Sequence, residues 1–294
     1  MKKIVPLQAI IVMYRRIRLL LIMSCLAFFA QARAQFDDPK TVEVGPHVGA
    51  SYYIGDINPA KHFWQSDLQY GAVVRYNHNS RWTFRFDYTH ATVKASDEVI
   101  KWRPERGLSF KTKINDFSLV AEFNFLEYYT GNPKRNVSPY IFGGISVFQY
   151  TPYLPVGDTL LKAREYPTET PLDQNAKWYE KIVDKAMPVG FSVPFGVGVK
   201  FSFSKHMAST VEWRMQKTFT DYLDDVEGVY PADDQHAIVT IDGVDYDLTD
   251  PTGNYHAGQQ RGNSSFNDWF GMLRVSLTWK FNLPDGRGCN LSKF

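Results

Sequence analysis

Cysteine is nearly absent: Cys25 and Cys289 are the only two in 294 residues. Cys25 lies in a segment expected to be removed, so Cys289 is left as a lone thiol. An internal disulfide is thereby excluded, although export would permit one. An excess of one charge sign is lacking too. The formal net charge is +2, which leaves no electrostatic footprint for nucleic acid. Arginine and aromatics do interleave in Arg81-Trp82-Thr83-Phe84-Arg85-Phe86, but a period of two reads as a strand with one apolar face.

Sequence signatures of common chemistry are also missing. The seven His show no H-E-x-x-H spacing, and no G-x-S-x-G elbow occurs. Gly196-Val197-Gly198 lacks the rest of a nucleotide fingerprint. His47 and Ser51 fall on one face of a single strand, about 13 Å apart at ~3.3 Å per residue, too far to act as a nucleophile and base. No catalytic residue, cofactor, metal site or small-molecule substrate is expected. Acidic groups do cluster at Asp221, Asp224 and Asp225 and again from Asp233 to Asp250; turn chemistry and a calcium site are both open readings.

Long apolar runs are missing after residue 35, where none reaches the roughly 20 residues of a membrane helix. Before it, Arg15, Arg16 and Arg18 precede the apolar stretch from Leu19 to Ala30 and the small-x-small site Ala32-Arg33-Ala34. That is a secretory signal over residues 1–34, with Met13 as a possible initiator and Gln35 as the first mature residue. A lipoprotein box ending at Cys25 is the alternative. An exported chain without a helical span is either soluble or a closed barrel, because every backbone polar group must be paired within the bilayer.

Abundant aromatics and alternation favour the barrel. Aromatics form 15% of the chain, which suits a surface that meets lipid. About eight segments alternate with period two. They are residues 42–54, 70–77, a third from Trp82, a fourth ending at Phe125, 139–150, 191–203, 210–216 and 269–281. Their length suits tilted transmembrane strands of about 9–11 residues. The fifth is apolar on both faces and its facing is open. The connections at 78–81 and 204–206 are short and that at 127–138 is moderate, whereas 55–69, 94–109, 151–188 and 219–266 are long. Short periplasmic turns alternating with long extracellular loops predict an all-β, antiparallel, up-and-down transmembrane barrel over residues 35–281, integral to the outer membrane, with a periplasmic tail at 282–294.

The lumen of an eight-stranded barrel is filled by side chains. The expected inward charges are Glu43, Arg75, Arg85, Asp87, Glu122, Lys200, Glu212, Arg214 and Arg274, with Lys280 beside them. Opposite signs in so narrow a space predict an ion-pair network. Rings near strand ends read either as two aromatic girdles or as ordinary strand preference. Tyr76, Trp82, Phe125, Tyr140, Phe203, Trp279 and Phe281 would lie at the periplasmic rim, and Tyr52, Tyr70, Tyr150 and Trp269 at the outer rim.

The stretch Tyr52-Tyr53-Ile54-Gly55-Asp56-Ile57-Asn58-Pro59, followed by Lys61-His62-Phe63, resembles the opening of the PorG-like proteins of the Bacteroidetes. Similar to the same family are Ala121-Glu122-Phe123-Asn124-Phe125-Leu126, Pro139-Tyr140-Ile141-Phe142-Gly143-Gly144 and Pro194 to Lys200. The most specific motifs are Lys217-Thr218-Phe219-Thr220-Asp221-Tyr222-Leu223-Asp224-Asp225-Val226 and Gln260-Arg261-Gly262-Asn263. The resemblance implies an outer-membrane component of the type IX secretion system, partnered by a periplasmic ring of PorK- and PorN-like proteins. The loop from Glu227 to Gln259 departs from the pattern. Basic groups on periplasmic surfaces, Lys134 and Arg135 in the turn and Arg287 and Lys293 in the tail, are the candidate docking residues. A stand-alone barrel for adhesion, membrane integrity or lipid chemistry is the alternative reading.

Overall fold

In the computed structural model, residues 40–166, 168, 189–226, 228–263 and 267–283 are described. Residues 1–34, expected to be a signal segment, and Arg287 and Lys293 in the tail lie outside them.

Eight described strands close into a barrel: β1 (Thr41–Ile54), β2 (Asp67–Asn77), β3 (Trp82–Ser96), β4 (Ser109–Asn124), β5 (Val137–Val156), β7 (Val189–Ser202), β8 (Met207–Thr218) and β11 (Trp269–Asn282). Each pairs antiparallel with its neighbour in sequence, and β1 meets β11 with Val42 opposite Phe281 and Ile54 opposite Trp269. A short strand, β6 (Thr159–Lys162), pairs with the outer end of β5. The hairpin β9 (Ile238–Ile241) and β10 (Val244–Asp247) stands apart from the barrel sheet. One short helix, α1 (Asp97–Ile100), follows β3.

Closure gives each of the eight barrel strands a partner on both sides, as a bilayer demands. Alternation then sorts the side chains. Val197, Val211, Trp213, Leu273, Val275 and Leu277 face outward and are exposed. Glu43, Arg75, Arg85, Glu122, Glu212 and Arg274 are buried inside. The fifth segment resolves in the same way, with Tyr140, Phe142, Phe148 and Tyr150 inward and Ile141, Ile145 and Val147 outward.

The strands on one side are taller than the sequence pattern indicates. β3, β4 and β5 run 15, 16 and 20 residues, beyond the roughly 9–11 that cross a bilayer. Along their outer ends the polarity reverses. Ala91, Val93, Ala95, Phe110 and Ile114 point inward, while Lys94, Lys111 and Lys113 sit on the outside. The change falls at Tyr88, His90 and Asn115, where the Tyr88 hydroxyl donates to Asn115 Oδ1 at 3.2 Å and His90 Nδ1 lies 2.8 Å from the same oxygen.

Three rings depart from their expected girdle positions. Tyr140 and Tyr150 are inward and buried, because their strand phase points them into the lumen. Tyr52 keeps the outer face but is fully covered. It lies across Gly271, whose absent Cβ would come within 2.2 Å of its ring. Its hydroxyl accepts from Trp213 Nε1 at 2.9 Å, and the turn carrying His62 and Phe63 folds back over it.

Leu277 faces lipid on β11, well inside both rims. Replacing it with Arg is expected to cost roughly 2–4 kcal/mol, the depth-dependent cost of a cation on the lipid face. Urea titration of folding into lipid vesicles measures it; an unchanged midpoint would invert the assignment of faces.

Candidate functional site

Lumen charges from six of the eight barrel strands meet in one ion-pair lattice, and β1 and β5 add hydrogen-bonded groups beside it. Arg85 of β3 reaches Glu212 at 2.5 Å, Glu122 at 2.6 Å and its neighbour Asp87 at 2.8 Å. Arg274 bridges Glu212 at 2.6 Å and Asp87 at 3.2 Å. Lys200 and Arg75 hold Glu122 at 2.6 and 3.3 Å. Arg214 spans Asp87 at 3.3 Å and Asp116 at 3.1 Å. Glu43 is held by neutral donors instead: Thr130, Asn77 and Thr278 at 2.5, 3.0 and 3.1 Å. Tyr140 contributes β5's share, donating to Glu212 at 2.6 Å.

Asp116 is an acid the sequence reading passes over, because it lies one residue before the stretch begun at Phe117. Extending the period-two register of Ser118, Glu122 and Asn124 backward reaches it. It also accepts from Gln216 at 2.6 Å and from Ser146. So dense a lattice is required rather than optional: a lone charge buried here costs several kcal/mol, and pairing with additional hydrogen bonds offsets that.

The periplasmic mouth is closed by the turn between β4 and β5. Tyr128 and Thr130 tuck inside and are buried. Lys280 Nζ donates to the Thr130 carbonyl at 2.5 Å and sits over the Tyr129 ring. Gly131, with φ of +91°, gives its N–H to Ser202 Oγ at 2.8 Å. Of the expected docking residues in this turn, Lys134 is exposed, whereas Arg135 pairs with Glu127 at 3.1 Å.

The outer mouth carries a second, apolar filling. Tyr53, Phe110, Phe148, Phe270 and Met272 from the strands pack with Ile57, Leu223 and Val226 from the loops. Two buried arginines join the loops above it. Arg106 holds Asp97 at 2.7 Å and donates to the carbonyls of Asp56 and Arg261 at 3.2 and 2.8 Å. Arg261 donates to the Asp225 carbonyl at 2.8 Å. Farther out, a small core unites β5 and β6 with β9 and β10 through Leu154, Val156, Leu161, Val239 and Leu248. The long loops therefore form a folded cap.

The acidic motif sits at the base of this cap. The Tyr53 hydroxyl lies 2.5 Å from Asp224 and 2.6 Å from Asp268. Burial pushes the Asp224 carboxyl up to about 8, with Asp56 adding repulsion, and pushes Asp268 well above the carboxylate range, with Asp224 and Asp221 adding to it. Among the described residues no group of three or more His, Cys, Asp or Glu is placed to hold a metal ion. His47 and Ser51 turn to separate backbone carbonyls, those of Tyr88 at 3.1 Å and Thr92 at 2.7 Å.

A closed antiparallel barrel of eight strands, with an apolar outer belt and a polar lumen, is an integral protein of the outer membrane. Within that class, the chain belongs to the family described as Domain of unknown function (DUF6089), whose model matches residues 17–248. No curated protein matches it. Similar solved structures include Neisserial surface protein A, at 11% identity over 82% of this chain and 97% of that one, with a TM-score of 0.40. The N-terminal β-barrel domain of Pseudomonas aeruginosa OprF matches at 10% identity over 82% and 97%, with a TM-score of 0.35. The outer membrane protein OprG of Pseudomonas aeruginosa matches at 11% over 83% and 97%, with a TM-score of 0.37.

Asp224 and Asp268 hold protons in the folded cap that they release once it opens. Their contribution is therefore complete below the ordinary carboxylate range near ~4 and falls as pH climbs through about 8 for Asp224. Limited proteolysis of the cap is expected to accelerate as pH rises from the ordinary carboxylate range toward about 8, and Asp224→Asn to flatten the dependence. A rate independent of pH in the parent protein would contradict this.

Proposed function

We propose that this barrel is a structural subunit of the type IX secretion machinery, docking a periplasmic ring of PorK- and PorN-like proteins. The observation that carries the reading is the filled lumen: paired charges at mid-height, Tyr128 and Thr130 in one mouth and Leu223 and Val226 in the other. A barrel without a conduit acts through its surfaces, as an anchored scaffold does. The resemblance to PorG-like proteins supports the same reading, since its most specific motifs supply Leu223, Asp224, Asp225 and Arg261, which build the cap.

The docking surface is assigned to the 127–138 turn and the 282–294 tail. Lys134 stands exposed on the turn, and Arg135 needs only to exchange Glu127 for an acid on a partner. Arg287 and Lys293 add positive charge in the tail. Basic groups of this kind steer an acidic partner and set its orientation more than they add affinity. No catalytic role is part of the proposal. The folded cap favours a second reading, a stand-alone barrel that binds at the cell surface.

Reversing charge at Lys134 and Arg135 and truncating after Leu283 is expected to abolish co-purification with the ring proteins and to lower secretion, with the barrel still inserted. Normal complex and normal secretion would refute the docking surface. Absence of ring proteins from extracts of the unaltered protein would favour the stand-alone reading.

A further inference from the structure

A cleft of about 430 Å³ opens at the outer rim, where β1 and β11 end and the cap begins. Its floor is Ile54 and Trp269, the last register pair of those strands. Both lie on the outward face, and the apolar wall continues down β11 through Leu273, Val275 and Leu277. The upper wall belongs to the cap and includes Trp102 and Arg103. These two follow Lys101, whose left-handed backbone (φ 58°) ends α1 and turns the chain outward. Trp102 is 62% exposed.

The cleft is thus half in the lipid-facing wall and half in a water-facing domain, which defines an amphiphile as its occupant. The sign of the headgroup follows from the cations. Among the described residues the Arg103 side chain makes long contacts, 3.6 Å to Glu105 and 3.5 Å to the Gln260 carbonyl. Lys217 lies outside on β8, its ammonium 5.6 Å from the Trp269 ring centroid. The acid in the lining, Asp56, is already engaged, accepting the Asn263 N–H at 2.5 Å with Arg106 and Arg103 nearby. Arg106 is committed to Asp97 and to carbonyls. The free capacity at the mouth is therefore cationic and aromatic.

We propose that this cleft binds the phosphorylated headgroup of the outer-leaflet glycolipid. Its acyl chains lie against Ile54, Trp269 and the β11 wall, its phosphate sits between Arg103 and Lys217, and a sugar ring stacks on Trp102. Cations at a membrane surface attract anionic headgroups, and Trp and Arg at a lipid boundary supply the apolar body and charged tip that such a ligand needs. The site is independent of the secretion role and of the periplasmic surface.

The test uses the full chain in detergent with lipid A as the probe and phosphatidylcholine as the control. Thermal unfolding followed against lipid concentration gives the apparent affinity, and native mass spectrometry reports retained glycolipid. Lipid A is expected to raise the melting temperature and to stay bound, whereas phosphatidylcholine does neither. Removing a cation, by Arg103→Ala or Lys217→Ala, is expected to weaken the affinity roughly fivefold, compounding in the double variant. Trp102→Ala, which leaves both cations in place, is expected to weaken it as well and serves where the double variant does not fold. Equal stabilisation by the two lipids, or unchanged affinity in the variants, would overturn the proposal. So would an equal loss on replacing Lys94 and Lys111, which stand on the rim at β3 and β4, since that would indicate a general basic collar rather than this cleft.

Discussion

The interaction on which the rest of the structure depends is the charge lattice centred on Arg85. A closed sheet of eight strands leaves an interior only wide enough for side chains, and here those side chains are ionised. Arg85 alone contacts Asp87, Glu122 and Glu212, acids on three different strands counting its own. Burying these groups is expensive, and removing one partner leaves a charge uncompensated at a cost of about 3–5 kcal/mol. The lattice therefore acts against alternatives: a strand that slips by one residue would send its charge into lipid and strand its partners in the lumen.

The same constraint explains the two ends. Charges at mid-height must pair with one another because both mouths are closed to water, each by different chemistry. The periplasmic turn supplies hydroxyls and carbonyls, through Thr130 and Tyr128, to the edge of the polar layer. The outer mouth is filled by hydrocarbon, because there the strands have left the membrane and the barrel resembles a water-soluble core: apolar inside and basic outside at Lys94, Lys111 and Lys113. Arg106 and Arg261 then satisfy loop carbonyls that would otherwise be buried without donors.

How far the sequence can be read follows from this architecture. Strands β7, β8 and β11 are legible because lipid outside and charge inside produce clean alternation, as in Val197, Val199 and Phe201 against Lys200. β5 is ambiguous because its inward positions, Tyr140, Phe142, Phe148 and Tyr150, are aromatic, so both faces read as apolar. The outer halves of β3 and β4 are missed because the phase of the alternation flips above His90, where apolar residues move inside. Asp116 is lost with them, since it belongs to the polar layer but lies just beyond the recognisable run. The arginine contacts of the cap join positions 155 residues apart in the case of Arg106 and Arg261, and local pattern carries no trace of such pairs.

Ion conductance across planar lipid bilayers tests the central claim most directly. A lumen filled by Arg85, Arg274, Glu122 and Glu212 and closed at both mouths leaves the reconstituted full chain with the conductance of the bare bilayer at neutral pH. Steady single-channel steps from the unaltered protein would show a continuous aqueous path and contradict the sealed barrel.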